Sequence, residues 1–289
     1  MAGFFGLFNY EKEGPGIRKD APRKKTFIVF FETFFRNFWK FIPINLIFSV
    51  FYIILPINGL GCAGMTNVTR NIARDKHSFG MSDFIDTAKR NWKQALPVGI
   101  INTVVYLLLA FDLFFFWNNA ANTLFYSICM GIGLAVLIVF SMMNFYIWTL
   151  IITFKFKLSQ IYRNSFKFVF INFKLNLLCG VILLAVYALG IVICLVAAYP
   201  IVWALMLIIN LCCLPAFRFL LIQFCTFPAV KKYIIDPYYK EHPGEDIQKR
   251  RDLGLDIPEE DDKDEDDSEG DEDNGDGDDD DPNAPVFED

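Results

Sequence analysis

LFYSICMGIGLAVLIVFSMMNFYIWTLIITF, residues 124–154, runs for 31 residues without a charge. A helix needs roughly 20 apolar residues to cross a hydrocarbon core of about 30 Å. This stretch exceeds that length, so lipid is its natural solvent. Working outward, residues 96–117 carry a single charge, Asp112, and residues 175–228 a single charge, Arg218. A break at 198–200 divides the latter run, giving four crossings at 96–117, 124–154, 175–197 and 200–228. The fold class read from this pattern is all-α, a polytopic bundle of transmembrane helices.

Composition agrees. Of 289 residues 54% are hydrophobic and 32 are Phe, with a mean hydropathy of +0.34. A water-soluble domain of this size cannot hide so much apolar surface. The net charge of −6 conceals two unlike parts. Residues 259–289 hold 19 carboxylates and one lysine, a local −18, which leaves +12 on the rest. Such an acidic stretch is too poor in apolar groups to fold, and it reads as a solvated appendage. The chain accordingly divides into a cytoplasmic N-terminal segment 1–25, a transmembrane domain 26–242 and an acidic cytoplasmic tail 243–289.

Charge bias sets the orientation. Lys and Arg number eight in residues 1–40, six in 70–93, five in 155–174 and six in 231–251. The connections at 118–123 and 198–200 have none. With the basic segments cytoplasmic, both termini are cytoplasmic and segment 41–69 must leave and return. That predicts a first helix over 26–55, a turn at 56–61 and a short helix over 62–75, for about six crossings, the second short or re-entrant. A single tilted span with 70–93 outside is the competing reading.

Three asparagine–aromatic–lysine clusters precede outward spans: Asn37-Phe38-Trp39-Lys40, Asn91-Trp92-Lys93 and Asn172-Phe173-Lys174. They suggest three hairpins entered through interfacial collars, with Trp39, Lys40, Trp92, Lys93, Phe173 and Lys174 as anchors. Beside the second collar, Ser82 or Asp83 can cap an amphipathic helix with Phe84, Ile85, Ala88 and Trp92 on its apolar face. That pattern suits a helix lying in the interface plane.

Polar groups inside spans are the usual markers of a substrate path, because charge at mid-bilayer is expensive. The candidates are Asp112, Arg218, Asn102, Asn144 and Asn210; the three asparagines, like Asn176, Thr149 and Gln223, are neutral, and bonds between helices are the alternative reading of all six. Counted along its helix Asp112 falls near the outer surface. Counted inward from Pro200, Arg218 falls near the cytoplasmic side, where it can snorkel, so no Asp112–Arg218 pair is expected. Pro215 is read as a kink satisfied by neighbouring helices. The seven cysteines all lie in apolar stretches without metal-ligand spacing and read as small buried residues. No catalytic or cofactor motif stands out, so neither an enzyme nor a cofactor is expected, and nothing points to nucleic acid.

At three places the chain resembles the YesL family, bacterial membrane proteins classed as a domain of unknown function. The first is Phe8-Asn9-Tyr10 with Gly14-Pro15-Gly16, Lys19-Asp20-Ala21-Pro22, Phe30-Phe31-Glu32-Thr33-Phe34-Phe35-Arg36 and Phe38-Trp39-Lys40. The second is Ala63-Gly64-Met65 with Arg70-Asn71, Ser82-Asp83-Phe84 and Lys89-Arg90-Asn91-Trp92-Lys93-Gln94. The third is Phe227-Pro228 with Lys231-Lys232-Tyr233-Ile234-Ile235-Asp236-Pro237-Tyr238-Tyr239. The resemblance implies a plasma-membrane protein acting beside carbohydrate-uptake systems, with sugar ABC transporter subunits as partners and no site residues to carry over. The expectation is a non-enzymatic accessory or scaffold component; a small-molecule permease in its own right is the alternative.

Overall fold

The charge-free stretch that decides the fold class is one continuous helix in the computed structural model, bounded on both sides by extended backbone at Thr123 and Phe154. The structure describes residues 26–120, 123–197 and 199–241; the expected N-terminal segment 1–25 and acidic tail 243–289 lie outside the described residues. The elements are α1 (Thr26–Arg36), α2 (Phe38–Ile53), α3 (Asn58–Ala73), α4 (Met81–Arg90), α5 (Trp92–Asn119) and α6 (Leu124–Thr153). They continue with α7 (Leu158–Ile171), α8 (Phe173–Ala197), α9 (Pro200–Cys212), α10 (Leu214–Val230) and α11 (Asp236–Glu241). Among the described residues there is no strand, and the bundle is all-α.

Among the described residues, four helices are long and apolar enough to cross a membrane: α5, α6, α8, and α10 with its continuation to Tyr238. A fifth crossing is available if α2 and the helical stretch Leu55–Ala73, bent by 118° at their junction, count as one span. The expected span 200–228 is instead two helices, divided at Cys213. α9 alone has 13 residues, about 20 Å at 1.5 Å per residue, well short of the hydrocarbon core. Pro215 stands in the first turn of α10, where its missing N–H costs nothing, and does not kink a continuing helix.

The break is held by a polar side chain from a helix distant in sequence. Asn45, fully buried on α2, donates from its amide to the Cys212 carbonyl at 2.5 Å and accepts from the Ala216 N–H at 2.9 Å. Those are the orphan groups of the last turn of α9 and the first turn of α10. One side chain thus satisfies both helix ends inside the bundle.

The N-terminal region also differs in detail from expectation. The single helix over 26–55 is interrupted at Asn37, and the return helix starts at Asn58, not at Cys62, after a short 3₁₀ turn at Leu55–Ile57. Helix continues through Gly59 and Gly61 because α3 lies at the centre of the bundle, touching α2, α4, α5, α6 and α10. Gly59 and Gly99 meet backbone to backbone there. A Cβ on Gly99 would lie 2.7 Å from the Gly59 Cα and from the Asn58 side-chain oxygen. Small residues permit this approach, as interhelical packing in lipid requires; Cys62, Ala63 and Gly64 are buried with them.

The three asparagine clusters occupy equivalent places. Asn37, Asn91 and Asn172 each separate a shorter helix from a longer apolar one, at α1/α2, α4/α5 and α7/α8. Their backbones share φ of −103°, −98° and −112°. Trp39, Lys40, Trp92, Lys93, Phe173 and Lys174 are all exposed at the starts of α2, α5 and α8, the positions of a collar. Trp92 opens α5 and is 52% exposed, so it does not belong to the inward face of α4, where Phe84, Thr87 and Ala88 are buried and Ile85 packs against the core. At the start of α4, Asp83 accepts hydrogen bonds from Phe79 N–H and the Ser78 hydroxyl, while Ser82 donates to Asp86.

Candidate intramembrane cavity

Several hydrogen bonds hold the basic ends of the helices at one level. Arg70 on α3 donates to Thr153 at the end of α6 and to Asn67, at 2.8 and 2.9 Å. Gln94 at the start of α5 donates to the Phe156 carbonyl just after α6, and Asn172 at the start of α8 to the Cys225 carbonyl on α10. The Arg74 guanidinium sits 4.9 Å from the Phe227 ring centroid. From this level, depth can be counted along each helix at about 1.5 Å per residue.

Counted so, polar residues from four helices converge. Asn102 lies about 14 Å beyond Lys93 on α5, Asn144 about 17 Å before Lys155 on α6, and Arg218 about 20 Å before Lys231 on α10. In a core of about 30 Å these are middle depths. They line a half-open cavity of about 580 Å³. Asn58 and Thr66 of α3, Thr103 and Tyr106 of α5, Ser141 and Trp148 of α6, and Gln223 of α10 complete its polar and aromatic wall.

The wall is bonded within itself, which fixes its side chains. The Asn102 amide donates to Asn144 Oδ1 at 2.7 Å, and Asn102 Oδ1 accepts from the Tyr162 hydroxyl of α7 at 2.8 Å. Asn58 donates to Thr103 at 2.8 Å, and Thr103 donates to the Gly99 carbonyl. Gln223 donates to Thr149 at 3.0 Å. Two buried atoms in the wall have no hydrogen-bond partner, Asn58 Oδ1 and Arg218 Nε.

Arg218 is therefore not at the level of the basic collar, as the count from Pro200 suggested. The break at Cys213 restarts the helix, so Pro200 is not a valid origin for the count. Its guanidinium carbon lies 4.7 Å from the Phe219 ring centroid. Asp112 is exposed on α5, two residues beyond the cavity-lining Ala110 and so turned away by about 200° around the helix. No ion pair joins Asp112 and Arg218 among the described residues. Asn210 is exposed on α9 and lines a separate, mostly apolar cleft between α8 and α9.

Of the intramembrane candidates, then, the fold brings Asn102, Asn144 and Arg218 together and leaves Asp112 and Asn210 apart. Asn176 serves the bundle: it accepts from the Tyr146 hydroxyl at 2.6 Å and donates to the Phe168 and Val169 carbonyls. Asn58, Thr103, Tyr106 and Ser141 had not stood out in the sequence. Asn58 sits in a Gly- and Pro-rich stretch that reads as a turn, and the others resemble ordinary packing residues of a span.

No family model matches the chain, and neither the curated proteins nor the solved structures contain a significant match. The class defined by the fold is a helical bundle with several helices long and apolar enough to span a membrane and a polar cavity among them.

Proposed function

We propose that this protein binds a small hydroxyl-bearing molecule in the cavity between α3, α5, α6 and α10 and acts as a permease in its own right. The observation that carries the reading is the convergence of Asn102, Asn144, Asn58 and Thr103 on one volume at mid-depth. Burying polar side chains there costs free energy unless they serve each other or a ligand. A cavity of about 580 Å³ suits a small molecule. Amides and hydroxyls offer both donors and acceptors, and Tyr52, Tyr106 and Trp148 offer ring faces. The protein is set in the plasma membrane with its basic ends and both termini in the cytoplasm, on the positive-inside bias.

The test is reconstitution into proteoliposomes with flux of labelled neutral and acidic monosaccharides. Flux by the wild type, lost in Asn102→Leu and Asn144→Leu but kept in Asn210→Leu, is the expected result. No flux in the wild type, or equal flux in all three variants, would remove the reading.

An accessory role beside a carbohydrate importer, with sugar ABC transporter subunits as partners, is the second reading. It draws on the YesL resemblance and on the exposed aromatics at the basic end, Trp39 at 80%, Phe79 at 75% and Trp92 at 52%. Stoichiometric recovery of a permease or ATPase subunit on gentle purification is the outcome that favours it.

A further inference from the structure

Among the described residues, no carboxylate pairs with the charge of Arg218. No Asp or Glu among the described residues lines the cavity. The one carboxylate of α5, Asp112, is exposed and does not line the cavity. Arg36 and Asp75 pair with each other at a distant exposed site. The neighbours of Arg218 are neutral: the Phe219 ring beneath the guanidinium, and Asn, Thr, Tyr and Ser side chains across the cavity. A cation at this depth is expensive to keep, and a cation–π contact recovers about 0.5–2 kcal/mol of that.

Two further features deepen the positive character of this spot. Arg218 stands in the second turn of α10, at the end of the helix where the macrodipole is positive and a cation is disfavoured. Its Nε–H is buried and has no acceptor. The guanidinium is a fork built to grip a carboxylate or phosphate through two parallel hydrogen bonds, and Arg218 is one of the residues that line the cavity.

Resting on the reading of the cavity as a small-molecule site, we propose that its ligand carries an oxyanion, a carboxylate or phosphate, that docks on Arg218, together with a hydroxyl that bonds to the amides and hydroxyls of the wall. The chemical class is a small hydroxylated acid or phosphate ester. An anionic lipid headgroup such as phosphatidylglycerol has the same pair of groups and is the alternative source of that chemistry.

The experiment uses the full chain in phosphatidylcholine nanodiscs, with Trp39, Trp92, Trp117 and Trp203 replaced by Phe so that Trp148 in the cavity wall reports occupancy. The probes are matched pairs: glucuronate against glucose, and glycerol 3-phosphate against glycerol. The expected result is an anionic member bound about tenfold or more tightly than its neutral partner. That preference is lost in Arg218→Gln and partly kept in Arg218→Lys. Equal binding of charged and neutral probes by the wild type would overturn the oxyanion assignment and leave the cavity reading intact. No solute binding, but a Trp148 response to phosphatidylglycerol in wild type and not in Arg218→Gln, would keep the oxyanion and sink the permease. No response to any probe or lipid would overturn both. The wild-type comparison stands without the variants, so a variant that fails to fold does not rescue the proposal.

Discussion

Asn37 and Asn91 make the same hydrogen bond: each side-chain amide donates to the carbonyl of the threonine four residues before it, Thr33 and Thr87, at 3.0 and 3.1 Å. The surrounding sequence is shared, Thr33-Phe34-Phe35-Arg36-Asn37-Phe38 against Thr87-Ala88-Lys89-Arg90-Asn91-Trp92. Each asparagine ends one helix and starts the next, and each is buried. The same carbonyl also accepts the asparagine's own backbone N–H, at 3.2 and 3.0 Å, so the side chain adds a second bond to it. Asn172 occupies the third equivalent place but turns its amide toward Tyr146 and Cys225, tying α8 to α6 and α10.

The shared bond predicts a shared cost. Asn37→Ala and Asn91→Ala each lose one buried hydrogen bond, about 1 kcal/mol, and each should lower the thermal midpoint in detergent by a similar amount. Asn172→Ala loses two bonds between helices and should lower it further. A midpoint for Asn172→Ala above those of the other two would show that the three positions are not mechanically alike.

Asn45 should be the costlier asparagine. In Asn45→Leu the Cys212 carbonyl and the Ala216 N–H are both left buried without their partner, at about 1–3 kcal/mol each. Asn45→Asp can still accept from Ala216 but cannot donate to Cys212, and it adds a buried charge. Both variants should unfold at lower temperature than Asn91→Ala. If Asn45→Leu unfolds like wild type, the side chain does not hold the α9/α10 break.

Glycines give a sharper contrast. A Cβ on Gly59 would collide with the Ala95 carbonyl, and one on Gly99 with Gly59 itself, backbone in both cases. Gly59→Ala and Gly99→Ala should therefore lose most folded protein in a fluorescence-detected size-exclusion assay. Gly131→Ala and Gly180→Ala meet nothing within 4 Å and should match the wild type or gain slightly from the better helix former.

Much of this architecture could be read from the chain alone, because charge-free length is a sufficient signal for α5, α6 and α8. The interruptions were harder. The break at Cys213 depends on Asn45, 167 residues earlier in the chain, and no local pattern announces it. Misplacing Arg218 followed from that one missed break, since depth was counted along a helix that does not exist as one piece. Asn102 and Asn144 were legible as polar residues in apolar runs, but nothing in their spacing showed that they bond to each other. Asn58 was hidden because Pro56, Gly59 and Gly61 around it read as a turn, whereas Gly59 packs against α5 and Gly61 against α2 within a continuous helix.

The crossing count turns on the hairpin of α2 and α3, and labelling decides it. Ser78 is a poor reporter, since it is 8% exposed and bonded to Asp83; Phe79 is 75% exposed and next to it. In a background without the seven native cysteines, Phe79→Cys and Trp39→Cys should react with a membrane-impermeant maleimide only after the cells are permeabilised. Leu124→Cys, 76% exposed at the far end of α6, should react in intact cells. That pattern means the chain leaves along α2 and returns along α3, with the 118° bend as the outer turn. Reaction at Phe79 but not Trp39 in intact cells would mean the bent pair crosses once. It would also place the segment between α3 and α4 outside, and α5 would then run in the opposite direction to the one its basic collar dictates.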